Sequence, residues 1–335
     1  MNVFVDYHHD ALYRSFELLF EKRLGWNLYR PIGYEWYRNL CWRYSDNPAV
    51  VEQYLKIPEN AVLKDGIYYI PNQRYGTVHK CLTFERFKEF PIDIMIASIH
   101  DHEVPYHTLC GLHFNKPKFI RQVGNVNELI DFSIVKNVMF SAGFDPMPKD
   151  VNVVYYHQEF DLDHFNFEPP TNRNTIKNFM NCLPDSEFYY LWKEYKKELS
   201  DFNWKMHGIL GEDGILGKEM EIVKAMKDTT FIWHVKAGVE GYGHVIHNAY
   251  ALGRPVITKI SNYKGKMAEP LLEDLVTCID LDKRTTAENV KIIRKLAQPE
   301  EHNKFCERAY QRFCEVVNFD EEFNALKHFL ERVLS

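Results

Sequence analysis

Residues 231–258 place the tightest constraint on the fold. Phe231 to Val235 is an apolar run of strand length, and a loop holding Gly238, Gly241 and Gly243 follows it. Val245, Ile246, Ala249 and Leu252 then recur at helical spacing. Gly253 stops that helix, and Pro255-Val256-Ile257 opens a second strand. A strand, a glycine loop and a helix N-terminus make an anion site. The first-turn N–H groups have no partner inside the helix, and the aligned peptide dipoles favour negative charge there. His234 and Lys236, alternating out of the strand end, add positive charge to the same crevice.

Similar alternation runs through the rest of the chain. Asn2 to Asp6 reads as a first strand. A helix follows from about Asp10 to Lys22, with Leu12, Phe16, Leu19 and Phe20 inward and Asp10 as its N-cap. Residues 30–80 show no sustained period. The pattern returns as a helix at Phe84–Phe90, a buried strand at Ile92–Ile99, a helix at Pro105–His113, a strand at Lys118–Val123 and a short strand at Val138-Met139-Phe140. The breaker-rich stretch from Gly143 to Asp150, with two prolines, reads as an interdomain linker. A second series has a strand at Val151–His157, a helix at Glu187–Leu199, a strand at Lys205–Leu210 and a helix at Lys218–Met226, and runs into the segment described first. Helices at Ala287–Leu296, Glu300–Val317 and Glu321–Leu334 close the chain. With 335 residues, two domains are expected. Strands alternating with helices give parallel sheets, so the fold class is α/β. The expected boundaries are 1–145 and 150–319, with ligand held at the carboxyl ends of the strands.

Glu240-Gly241-Tyr242-Gly243, together with Ala249-Tyr250-Ala251-Leu252-Gly253-Arg254-Pro255-Val256-Ile257, resembles the nucleotide-sugar-binding segment of GT-B glycosyltransferases. Their pattern is Glu-Gly-Phe/Tyr-Gly, four further residues, a second Glu, and then Ala-x-Ala-x-Gly-x-Pro-Val-Ile. The second Glu falls on Asn248 here. The resemblance implies two Rossmann-like domains facing each other across a cleft, and a terminal helix over 320–335 that packs back on the N-terminal domain. It implies donor binding by Gly241, Tyr242, Gly243 and His244, sugar contact by Glu240, and ribose contact at Asn248. A carboxylate accepts from both ribose hydroxyls, whereas an amide offers one accepting oxygen and a donating NH2. The motif leans toward the retaining branch without fixing the stereochemistry, the nucleotide or the donor sugar.

Further candidates are weighed against plainer roles. Lys236 would stabilise a departing diphosphate; alternatively it is a solvated strand-end lysine. His234 either joins the donor site or bonds a neighbouring carbonyl. His8 and His9 follow the first strand, where a histidine can take an acceptor hydroxyl's proton. Gly211, in Gly211-Glu212-Asp213-Gly214, either touches base or phosphate or forms a simple turn. His100-Asp101-His102 suits acceptor contact or a plain loop better than a metal. Asp161-Leu162-Asp163 and Asp280-Leu281-Asp282 have the spacing of a metal-holding pair in the other main glycosyltransferase fold, but short acidic pairs are frequent by chance. The aromatic stretch from Trp26 to Tyr44 reads as an acceptor groove or as core.

A formal net charge of −6 gives no help to a purely electrostatic nucleic-acid binder. Seven scattered cysteines, with no Cys-x-x-Cys, fit a reducing cytoplasm. The chain opens on a strand with no basic leader or long apolar run. The expectation is a metal-independent glycosyltransferase without a cofactor, moving a sugar from a nucleoside-diphosphate sugar, with UDP as the expected carrier, to a hydroxyl. The acceptor is open among a glycan, a small molecule, a protein and a modified DNA base, and so is the oligomeric state. A nucleotide-sugar epimerase or hydrolase of related fold, and an inactive nucleotide-sugar-binding protein, are the alternatives.

Overall fold

The computed structural model describes residues 1–6, 9–32, 57–98, 100–125, 128–236 and 241–335. They form two compact units, one of Met1–Ser141, Asp145–Phe160 and Phe319–Ser335, the other of Ala142–Phe144 and Asp161–Asn318. Among the described residues no helix is long and apolar enough to cross a membrane.

The first unit contains β1 (Asn2–Val5), α1 (Asp10–Phe16), β2 (Asn27–Pro31), β3 (Val62–Lys64), β4 (Ile67–Asn72), β5 (Thr77–Leu82), α2 (Phe84–Glu89), β6 (Ile94–Ala97), α3 (Glu103–Leu112), β7 (Lys118–Val123), β8 (Asn137–Phe140) and β9 (Asn152–Tyr155). Its sheet runs β3-β4-β5-β2-β1-β6-β7-β8-β9. All neighbours are parallel except within the β3–β4–β5 meander. Val3, Phe4 and Val5 are buried, as a strand covered on both faces requires. His9, not Asp10, caps α1, because Asp10 already has helical backbone and stands in the first turn. The helix then widens, with the Leu24 N–H reaching back five residues to the Leu19 carbonyl (3.1 Å).

The second unit contains β10 (Thr175–Asn178), α4 (Tyr189–Glu198), β11 (Asn203–Met206), α5 (Glu219–Lys227), β12 (Phe231–Trp233), α6 (His244–Ala251), β13 (Val256–Thr258), β14 (Cys278–Asp280), α7 (Thr286–Leu296) and α8 (Pro299–Val316). Its five strands, ordered β11-β10-β12-β13-β14, are all parallel. The chain leaves β10 toward β11 and returns on the other side as β12. The switch point therefore lies between β10 and β12, where open α/β sheets bind ligands at the carboxyl edge. Behind β12, Trp233 meets Trp192 and Trp204, each with ring centroids 5.8 Å away.

The last helix, α9 (Phe319–Leu334), returns to the first unit and buries Leu326, Phe329, Leu330 and Val333 against its core. Arg23 clamps that return, bonding both oxygens of Glu159 at 2.9 and 3.0 Å and Asp320 at 2.8 Å. Glu322 accepts from the His157 backbone N–H at 2.6 Å and lies 2.6 Å from its ring Nδ1.

Val151–His157 was expected to open the second series, but β9 is the edge strand of the first sheet, in register with β8 from Asn137↔Asn152. The breaker-rich stretch from Gly143 to Asp150 links β8 to β9, and the chain passes finally into the second unit at Asp161. Prolines and glycines mark a loop without saying what it joins.

His302 on α8 braces the amino end of β12. Its Nε2–H donates to the Thr230 carbonyl (2.8 Å), and Arg173 donates to its Nδ1 (3.1 Å). Burial, aided by the neighbouring arginines, pushes its pKa down from 6.5 to about 4. The folded state therefore binds this proton less readily than the unfolded chain, so the contribution is full above pH 6.5 and is lost as pH falls toward 4. The loss is about 3 kcal/mol. Urea unfolding of wild type and His302→Gln at pH 7 and pH 4.5 should show a steeper loss in the wild type.

Candidate functional site

The buried strand β12 ends at Trp233, and the next residues leave the sheet at its carboxyl edge. His234 is 1 % exposed. Its backbone N–H donates to the Ile257 carbonyl (2.9 Å), and its carbonyl accepts from the Thr258 hydroxyl (2.6 Å). His234 therefore sits inside the sheet's edge, with its ring 6.4 Å from that of Tyr263. Lys236 is half-buried, and its carbonyl accepts from the Asn262 amide at 2.5 Å. Glu240 lies outside the described residues, as does His8.

The chain re-enters as Gly241, Tyr242 and Gly243, all buried. Gly243 caps α6 with φ +80° and ψ 48°, a left-handed conformation that glycine adopts without strain. A Cβ there would meet Ala268 Cβ at 3.2 Å. The N-cap residue of α6 is this glycine, which has no side chain to cap the helix, and no acidic residue occupies the first turn. Tyr242 is 3 % exposed and lies flat on His247, with ring centroids 4.2 Å apart and planes within 6°; His244 meets the same tyrosine at 4.7 Å.

One turn along α6, Asn248 is partly buried, and its Oδ1 is buried without a hydrogen-bond partner. Buried polar atoms are nearly always satisfied, so an orphaned oxygen one turn into this helix is a place where a ligand hydroxyl fits. The structure thus brings His234, Lys236, Gly241, Tyr242, Gly243, His244 and Asn248 to one strand-to-helix junction.

Gly211 stands apart from that junction. It follows β11, an edge strand separated from β12 by β10. A Cβ on Gly211 would lie 2.3 Å from the Met206 carbonyl, so the turn itself demands glycine. Asp213 closes the turn by accepting from Lys205 Nζ and the Met206 N–H, both at 2.8 Å. Burial holds His207 below the ordinary imidazole range, against the pull of Asp213.

Other candidates have structural partners. Asp280 accepts from the backbone N–H groups of Ile260 (3.1 Å) and Asp282 (3.0 Å), while Asp282 accepts from Ser261 Oγ (2.5 Å) and pairs with Lys259. Asp161 accepts from the Asp163 N–H (3.1 Å). His9 is exposed at the start of α1. His100 Nδ1 lies 3.3 Å from Glu103. Trp26 stacks on Phe20, with centroids 5.9 Å apart, and most of the aromatic stretch beyond it lies outside the described residues.

Two features escaped the sequence reading. His247 sits on the apolar face of α6, where periodicity gives no reason to single it out. The other is Asp6, at the carboxyl end of β1. Its carboxylate accepts from the Ser98 N–H (2.7 Å) and Ser98 Oγ (2.5 Å) and lies 2.6 Å from His102 Nδ1, all buried. This pair fixes the turn after β6.

Gly243→Ala should cost about 1–2 kcal/mol through the left-handed backbone alone. A lowered denaturation midpoint would show it, and an unchanged midpoint would contradict the geometry given for the cap.

No protein-family model matches this sequence, and no curated protein matches it. Solved structures do match. HepE of Anabaena, solved in complex with UDP, aligns over 99% of this chain and 99% of its own, with 11% identity and a TM-score of 0.63. A glycosyltransferase from Rickettsia africae aligns over 100% and 98%, with 13% identity and a TM-score of 0.65. The pneumococcal O-GlcNAc transferase GtfA, solved with UDP and GlcNAc, aligns over 100% and 99%, with 10% identity and a TM-score of 0.60. With two α/β units, one on a wholly parallel sheet and one on a mainly parallel sheet, and a likeness that spans nearly every residue, this chain has the GT-B fold that those glycosyltransferases share.

Proposed function

We propose that this protein is a glycosyltransferase that moves a sugar from a nucleoside-diphosphate sugar, with UDP as the carrier, to an acceptor hydroxyl without a metal ion. The observation that carries the reading is the junction of β12 and α6. A helix start under a left-handed glycine, with no acidic residue in its first turn, offers amides to a diphosphate. One turn on, the orphaned Asn248 oxygen offers an acceptor to a ribose hydroxyl. The UDP complexes of HepE and GtfA support the choice of carrier. In this reading Glu240 contacts the sugar, Gly241 to His244 the phosphates, and Lys236 the leaving diphosphate. His8 or His9 receives the acceptor proton. The engaged carboxylates of Asp280 and Asp282 favour a site that runs without a metal.

Labelled UDP-sugars offered with glycans, small metabolites, proteins and hydroxylated DNA should label one acceptor class. Lys236→Ala and Glu240→Gln should each lower turnover about a hundredfold, the usual loss when one preset charge or donor is removed. Wild-type turnover in both would remove those roles. Transfer should also continue in EDTA, and its arrest would call for a metal. The amide at position 248 keeps a second reading alive, a nucleotide-sugar-binding protein without catalysis. Tight UDP binding with neither transfer nor hydrolysis would favour it.

A further inference from the structure

His247 is fully buried on α6 between Ile246 and Ala249, where an apolar side chain would pack without desolvation cost. Two contacts of the ring bear on the loop before α6. Tyr242 lies parallel on it at 4.2 Å, and its Nδ1 sits 3.0 Å from the Gly243 carbonyl. A carbonyl only accepts, so Nδ1 carries the proton. The same carbonyl accepts from the backbone N–H groups of Ile246 (2.9 Å) and His247 (3.2 Å). Three donors thus converge on one oxygen.

That convergence has a consequence on the other side of the peptide. The Gly243–His244 bond is trans, and in a trans peptide C=O and N–H point in opposite directions. Holding the carbonyl down into the helix aims the His244 N–H outward from the helix start. We propose that His247 is a positioning residue for phosphate binding: its imidazole N–H and its stack with Tyr242 hold the Gly243–His244 peptide in the orientation that a diphosphate meets. The proposal rests on the donor-site reading given above.

The test uses the full chain and two probes, UDP and uridine, the second lacking phosphate. Calorimetry reads the dissociation constant for UDP, and NMR titration reads uridine. His247→Phe keeps a flat ring and removes the donor. It should weaken UDP by about five- to tenfold, the worth of one neutral hydrogen bond, and leave uridine unchanged. His247→Gln, which keeps an N–H donor, should recover most of the loss. His247→Leu reads the same bond if the phenylalanine variant does not fold. Unchanged UDP affinity, or an equal loss for UDP and uridine, would overturn the proposal. A wild-type protein that binds no UDP would instead bring down the donor-site reading, and this inference with it, before any variant is measured.

Discussion

Phe231, Ile232 and Trp233 are shielded on both faces, and the chain on either side has to accommodate that dry middle strand. Its backbone bonds go to β10 and β13, so neither end is free to shift. At the amino end, Arg254 donates to the carbonyls of Lys227, Glu168 and Leu252, and His302 bonds Thr230. At the carboxyl end, Thr258 and Asn262 hold the carbonyls of His234 and Lys236. A strand fixed this firmly delivers the following loop and helix to one place. The polar groups of the candidate site inherit their geometry from an apolar core.

In the first unit buried charge does a comparable job. Arg121 is fully buried within β7, bonds Glu103 on α3 at 2.7 Å and reaches the Ala97 carbonyl at 3.3 Å. Such pairs rarely stabilise more than well-packed apolar residues would, because both charges lose their hydration. What this one offers is registry. It ties the end of β6, the body of β7 and the start of α3 together, while Asp6 ties β1 to the turn after β6. The carboxyl ends of β1 and β6, the body of β7 and the start of α3 are thereby tied to one another.

Much of this was legible in the residues. The strand–loop–helix at 231–258 shows plainly because its strand is apolar throughout and glycines bracket its helix. Lys118–Val123 was read to the residue. Three parts were not legible, each for a physical reason. β10 reads Thr-Ile-Lys-Asn, too polar for a core strand, because Lys177 runs its stem to the Ala225 carbonyl and Asn178 bonds the Met180 and His207 carbonyls. The β3–β4–β5 meander hides behind exposed apolar residues such as Val62 and Leu63, which blur the alternation. His247 is decided by a ring stack and a back-bond that no periodicity encodes.

The return of α9 bears on how the protein is made. Residues 1–160 leave the ribosome well before the segment whose Leu326, Phe329 and Leu330 cover their hydrophobic face. Phe160 and Phe319, with ring centroids 5.3 Å apart, mark where the polypeptide leaves this unit for its long excursion through the second and where it comes back. The first unit is therefore completed only after the second unit has its whole sequence available.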